Sequence, residues 1–161
     1  MPPEISLKAI LNGTFSFTAR PEPVAGDLRM SWGIAILLLA LLSSRSKKSS
    51  FQKLQFLAHA VRIPEGRDDV RSLLGGKLRP LEVSVRVEPW LNRAVAFAHA
   101  MKLVSVEKGK SVVLTARGIE VAKSIISNKD ILLEEHKFLS EVAPKLTDML
   151  MTKIWRMEDL N

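Results

Sequence analysis

Three histidines, His59, His99 and His136, are the side chains best suited to acid–base or metal chemistry in this chain of 161 residues. They fall on three separate helical segments. None has a histidine or cysteine three or four positions away, so their spacing gives no metal site. Glu134-Glu135-His136 sets carboxylates beside an imidazole, but on a solvated helix that cluster reads as surface charge. The chain has no cysteine, which excludes disulfides, thiolate metal sites and cysteine nucleophiles and fits a reducing compartment. No glycine-rich loop joins a strand to a helix, and Gly75-Gly76 alone makes no phosphate cradle. No Ser-His-Asp order marks a triad. The expectation is a protein that is not an enzyme and carries no cofactor.

Binding through charge is the chemistry that remains. The net charge is +7 and unevenly placed. Residues 29–63 carry Arg29, Arg45, Lys47, Lys48, Lys53 and Arg62 with no acidic residue, whereas residues 130–161 are mildly acidic. Arg45, Lys47, Lys48, Arg93, Lys108 and Lys110 are the candidate contacts to double-stranded DNA. Contacts of this kind would be to the phosphate backbone and would weaken steeply with salt. The plainer alternative is that these lysines and arginines only solvate a small domain.

The elements that would position these residues are clearest at 89–123. Leu91, Ala94, Val95, Ala98 and Met101 recur at helical spacing, and Pro89 suits a first helical turn, so a helix is expected over Pro89–Met101. Strands at Leu103–Val106 and Ser111–Leu114 flank the basic turn Glu107-Lys108-Gly109-Lys110, and Thr115 caps a further helix. Helix, hairpin, helix, closed by Leu114-Thr115-x-x-Gly118, resembles the second half of a winged-helix domain, with the hairpin as its wing. The resemblance puts Pro89–Met101 in the recognition position, with Asn92, Arg93, Ala96, His99 and Lys102 facing outward. Phe97 is assigned to the core, and Trp90 fits either the core or a partner contact.

The rest of the chain divides into three parts. Residues 1–28 form an N-terminal arm with an alternating Thr14-Phe15-Ser16-Phe17-Thr18 and the breakers Pro21, Pro23 and Gly26. Residues 29–128 form the winged-helix domain, and residues 129–161 a helical extension kinked at Pro144. The run Met30–Leu42 is too short for a membrane span, which needs about twenty residues, and reads as a buried helix. Further helices are expected at Ser50–Arg62, ended by Pro64-Glu65-Gly66, and at Asp68–Leu74. Leu81–Val87 alternates apolar and polar residues and is expected to pair with the wing as a third strand. The first twenty residues lack the apolar stretch of a signal peptide, so a cytoplasmic protein with no membrane contact is expected. The fold class expected is mainly α with a small antiparallel β wing.

One resemblance covers nearly the whole chain. It is carried by the arm residues Phe15, Phe17, Arg20, Pro21 and Pro23, by Arg29-Met30-Ser31-Trp32 opening the leucine-rich helix, and by Val85-Arg86-Val87-Glu88-Pro89. Leu91-Asn92-Arg93-Ala94 and Leu114-Thr115-x-x-Gly118 complete it. The pattern resembles the middle subunit of ABC three-component systems, the group that includes Lamassu-type bacterial anti-phage defences. The resemblance implies a non-catalytic adaptor between an SMC- or Rad50-like ATPase and an effector nuclease, and allows a direct contact with DNA. Phe15, Phe17, Arg20, Trp90 and Trp155 are the candidate partner contacts. The alternative is a dimeric winged-helix transcription regulator, joined through its C-terminal helices.

Overall fold

A computed structural model describes residues 26–156, in which a single leucine-rich helix forms the axis of the fold. Helix α1 (Gly26–Ser43) is apolar on nearly every side, and such a helix is stable only when surrounded. Residues Ile36 to Leu41 are all buried, with neighbours from α4, α5 and α6 described below. The Ser44 hydroxyl donates to the Ala40 carbonyl at 2.8 Å as the helix ends. A tight turn over Arg45–Lys47, with Ser46 and Lys47 at φ 55° and 52°, leads into strand β1 (Lys48–Ser50).

Ser50 then caps α2 (Phe51–Val61), its hydroxyl accepting from the Lys53 amide at 3.3 Å. Helix α3 (Pro64–Leu74) opens on its proline. After an irregular stretch come α4 (Pro89–Ala100), β2 (Val104–Glu107), β3 (Ser111–Leu114) and α5 (Ala116–Ser127). Helices α6 (Leu133–Val142) and α7 (Asp148–Trp155) complete the described residues and bury Phe138, Leu139, Val142, Met151 and Ile154 in the same core. The protein is mainly helical with one small antiparallel sheet.

That sheet has the order β1-β3-β2. The register pairs Lys48 with Val113 and Ser50 with Ser111 on one side, and Val104 with Leu114 and Glu107 with Ser111 on the other. Because side chains alternate along a strand, Lys48, Ser50, Ser111, Val113, Ser105 and Glu107 share the outward face. Ser49, Val112, Leu114 and Val104 face inward and are buried.

Two glycines decide the hairpin. Lys108 and Gly109 both have positive φ, 52° and 64°, which is the two-residue turn whose twist matches that of paired strands. The Lys110 amide closes it on the Glu107 carbonyl at 3.0 Å. At the other end, Thr115 caps α5 by accepting from the Gly118 amide at 3.1 Å. A Cβ at Gly118 would lie 1.9 Å from the Leu103 carbonyl oxygen, so only glycine lets α5 start this close to β2.

Two expectations are corrected. Leu81–Val87 is not a strand: Pro80–Glu82 form a single tight turn, in which the Glu82 carboxylate accepts from the Arg79 amide at 2.7 Å. The residues after it join no sheet, and the third strand is Lys48–Ser50, which the sequence presents as a polar connector. Three residues are too few to display a period of two. Pro64 opens α3 rather than merely ending α2, so this helix starts before Asp68. The burial expected for Met30–Leu42 holds over its central leucines, and no helix among the described residues is long and apolar enough to cross a membrane.

Candidate functional site

Helix α4 is held in place by a buried polar clamp. Glu88, the residue before it, is only 6% exposed. Its carboxylate meets the His59 Nδ1 at 2.9 Å and accepts from the Arg62 guanidinium at 3.1 Å, both from α2. The Glu88 amide donates to the Gln55 side chain at 2.7 Å, and the Gln55 amide group donates to Asn92 at 2.9 Å. Three side chains of α2 thus fix where α4 begins. A carboxylate on an imidazole is also how a general base is oriented, and His59 lines a cavity of about 350 Å³ with Asp69, Ser84 and Arg86. Arg62 already balances this carboxylate, and Glu88 is the only hydrogen-bond partner of His59 among the described residues. The arrangement ties the start of α4 to the end of α2.

With its start fixed, α4 turns Leu91, Ala94, Val95 and Ala98 into the core. At about 100° per residue, Phe97 lies roughly 120° from the centre of that stripe. Phe97 is accordingly 53% exposed and Met101, just past the helix end, 47% exposed, which corrects their assignment to the inner face. Ala96 and Ala100 lie beside them on the surface. Arg93 is the one cation on the outward face, and α4 carries no acidic residue. Neither Arg93 nor Lys102 forms an ion pair among the described residues.

The aromatic candidates are differently placed. Trp90 is half-buried, its ring tilted on Trp32 with centroids 5.0 Å apart and lying over Gly33. Trp155 is half-buried as well. The indole N–H of each is buried without an acceptor among the described residues, a cost of about 1–3 kcal/mol apiece. Phe15, Phe17 and Arg20 lie outside the described residues.

The basic candidates form two sets on one sheet and one outlier. Arg45, Lys47 and Lys48 lead into β1, while Lys108 and Lys110 sit on the hairpin turn. Both sets belong to one sheet, but the antiparallel register sets Lys48 opposite Val113, away from the hairpin turn, and it is the Phe51 amide that donates to the Lys110 carbonyl at 3.1 Å. Lys48 is ion-paired with Glu107 across the outward face, so part of its charge is spent within the fold. Arg93 belongs to α4 and stands outside both sets.

Sequence reasoning missed Lys53, which is only 6% exposed. Its ammonium donates to the carbonyls of Ala143 at 2.5 Å and Leu146 at 3.1 Å. Burial pushes this ammonium below the ordinary lysine value, with Asp148 opposing the shift and Arg45 adding to it. The signal was present: at about 100° per residue Lys53 falls between Ala60 and Leu57, inside the apolar face of α2, whereas Gln52 and His59 fall outside it. Among the described residues, no group of three or more histidine or acidic side chains is placed to hold a metal ion. Compared with known proteins, the chain matches no family model, no curated protein and no solved structure.

Proposed function

We propose that this chain is a non-catalytic winged-helix adaptor, a subunit held by an SMC- or Rad50-like ATPase and linking it to an effector nuclease in a bacterial defence complex. The observation that carries the adaptor reading is the outward face of α4. A helix in the recognition position that reads DNA presents several polar side chains to base edges. Here that face offers Ala96, Phe97, Ala100 and Met101 around one arginine, with Asn92 already bonded to Gln55 and His99 against the Val104 carbonyl. Exposed aromatic and methionine side chains are the usual anchors of a protein contact.

The winged-helix part rests on the order α1, β1, α2, α4, β2, β3 with the sheet order β1-β3-β2, and on the tight hairpin between β2 and β3. Helix α3 is then an insertion between the second and third helices. The ATPase surface that fits α4 is an apolar ridge with acidic flanks, since Arg93 and Lys102 make no ion pair among the described residues and α4 has no acid of its own. The identity of the partners and the defence role come from the resemblance of the sequence motifs.

Co-purification tests this directly. The tagged chain should recover a coiled-coil ATPase in stoichiometric amount from its native host, and Phe97→Asp should lose it at least tenfold while melting normally. A chain that stays monodisperse and alone would end the adaptor reading. One observation favours a second reading: the cations around β1 and on the hairpin could rest on duplex DNA. A homodimer binding duplex DNA with no ATPase would make the chain a transcription regulator.

A further inference from the structure

Between the entry to β1, the first turn of α2 and the first turn of α7 lies a cavity of about 420 Å³. Its size is that of a small-ligand site, but its lining is cationic and hydroxylic rather than apolar. Arg45 opens onto it, and no hydrogen bond or ion pair within the described residues occupies its guanidinium. Lys48 stands on the same wall, partly balanced by Glu107. Lys53 brings a buried ammonium whose three donors serve two carbonyls, leaving one for a ligand.

Two helix starts converge on the same space. Ser50 and Thr147, the capping residues of α2 and α7, both line the cavity. Each helix start adds a partial positive charge to that of the side chains. One group opposes them. The Asp148 carboxylate also lines the cavity and makes no ion pair among the described residues. A ligand here must be anionic enough to win three cations against one carboxylate. It must also accept hydrogen bonds on several sides, because its neighbours are almost all donors.

We propose that this cavity binds a phosphate group, held by Arg45 and Lys53 and by the converging starts of α2 and α7. Guanidinium and ammonium groups favour its oxygens through charge-assisted hydrogen bonds, and the hydroxyls supply further donors. The group belongs either to a small phosphorylated molecule or to a 5′-phosphorylated DNA end. The site stands apart from α4, so it neither needs nor supports the ATPase contact.

The test uses the full chain and inorganic phosphate as probe, with chloride at equal ionic strength as reference. Phosphate at tenfold its dissociation constant should raise the melting temperature by about 4 °C, where chloride does not. Arg45→Ala, at an exposed position with no ion-pair partner among the described residues, should weaken phosphate at least tenfold. Asp148→Asn should tighten it several-fold, because it removes the one opposing charge. Equal effects of phosphate and chloride would overturn the proposal, as would unchanged affinity in Arg45→Ala or weaker binding in Asp148→Asn. A second arm compares short duplexes with and without a 5′-phosphate. A tenfold preference for the phosphorylated end, competed by inorganic phosphate, assigns the group to DNA. Equal binding of both duplexes, with inorganic phosphate still bound, assigns it to a small molecule.

Discussion

The outward face of α4 and the cationic cavity beside β1 are two surfaces of one small fold with different chemistry. The first exposes the large apolar Phe97 and Met101 and carries a single arginine beside Asn92 and His99. The second sets Arg45, Lys48 and the buried Lys53 around a hydroxyl-lined cavity. In a DNA reader the two would work together, with the helix supplying base contacts and the hairpin supplying phosphate contacts. Their difference in chemistry argues that here they serve different partners. An apolar helix face is suited to protein, and a cationic pocket is suited to phosphate.

Mutations can break the comparison in a definite order. Leu38 is fully buried in α1, the helix beneath both surfaces. Leu38→Asp buries an unpaired charge and should cost about 5 kcal/mol, abolishing both functions together as seen in a lost melting transition. Glu88→Ala is more selective. It leaves His59 and Arg62 without their carboxylate and should cost about 3 kcal/mol. Below its lowered melting temperature it should loosen α4 and weaken the protein contact while phosphate binding at the sheet persists.

Phe97→Asp sharpens the contrast further. At an exposed position it should change stability by no more than about 0.5 kcal/mol, yet remove at least tenfold of partner affinity by co-purification or calorimetry. The smallest effect concerns pH. Burial lowers the Lys53 ammonium below its ordinary value of 10.5, so the unfolded chain binds this proton more tightly than the folded one. Its contribution to stability therefore rises with pH between the depressed folded value and about 10.5. Subtracting the profile of Lys53→Met from that of the parent chain, by chemical denaturation across the alkaline range, should reveal this rise.

The parts of the fold that were legible are those fixed by local rules. Pro89, the Lys108-Gly109 turn and the Thr115 cap each act within a few residues, and the structure places them where sequence put them. Gly118 was legible as part of a motif, though its cause, a carbonyl 1.9 Å from where a Cβ would sit, is a contact between elements. β1 was not legible, because three residues carry no period and their pairing with β3 is non-local. Leu81–Val87 carried the right alternation, but the turn at Pro80–Glu82 takes its start out of register and β1 holds the edge of β3.

The candidate site divides in the same way. The cations of the connector could be read as charge density, but the cavity that Arg45 and Lys48 share with the starts of α2 and α7 needed the tertiary fold. Phe97 was misread because residue type was weighed above its angle on the helix, and that angle was available in the sequence. The Glu88 clamp gave no signal, since its partners Gln55, His59 and Arg62 lie some thirty positions away on α2.

The central claim is that α4 faces protein, and its most direct test is parallel co-purification of the tagged chain and its Phe97→Asp variant from the native host. The account predicts a coiled-coil ATPase recovered in stoichiometric amount with the parent chain and lost with the variant, at equal melting temperatures. Equal recovery with both chains, or a parent chain that emerges alone, would contradict it.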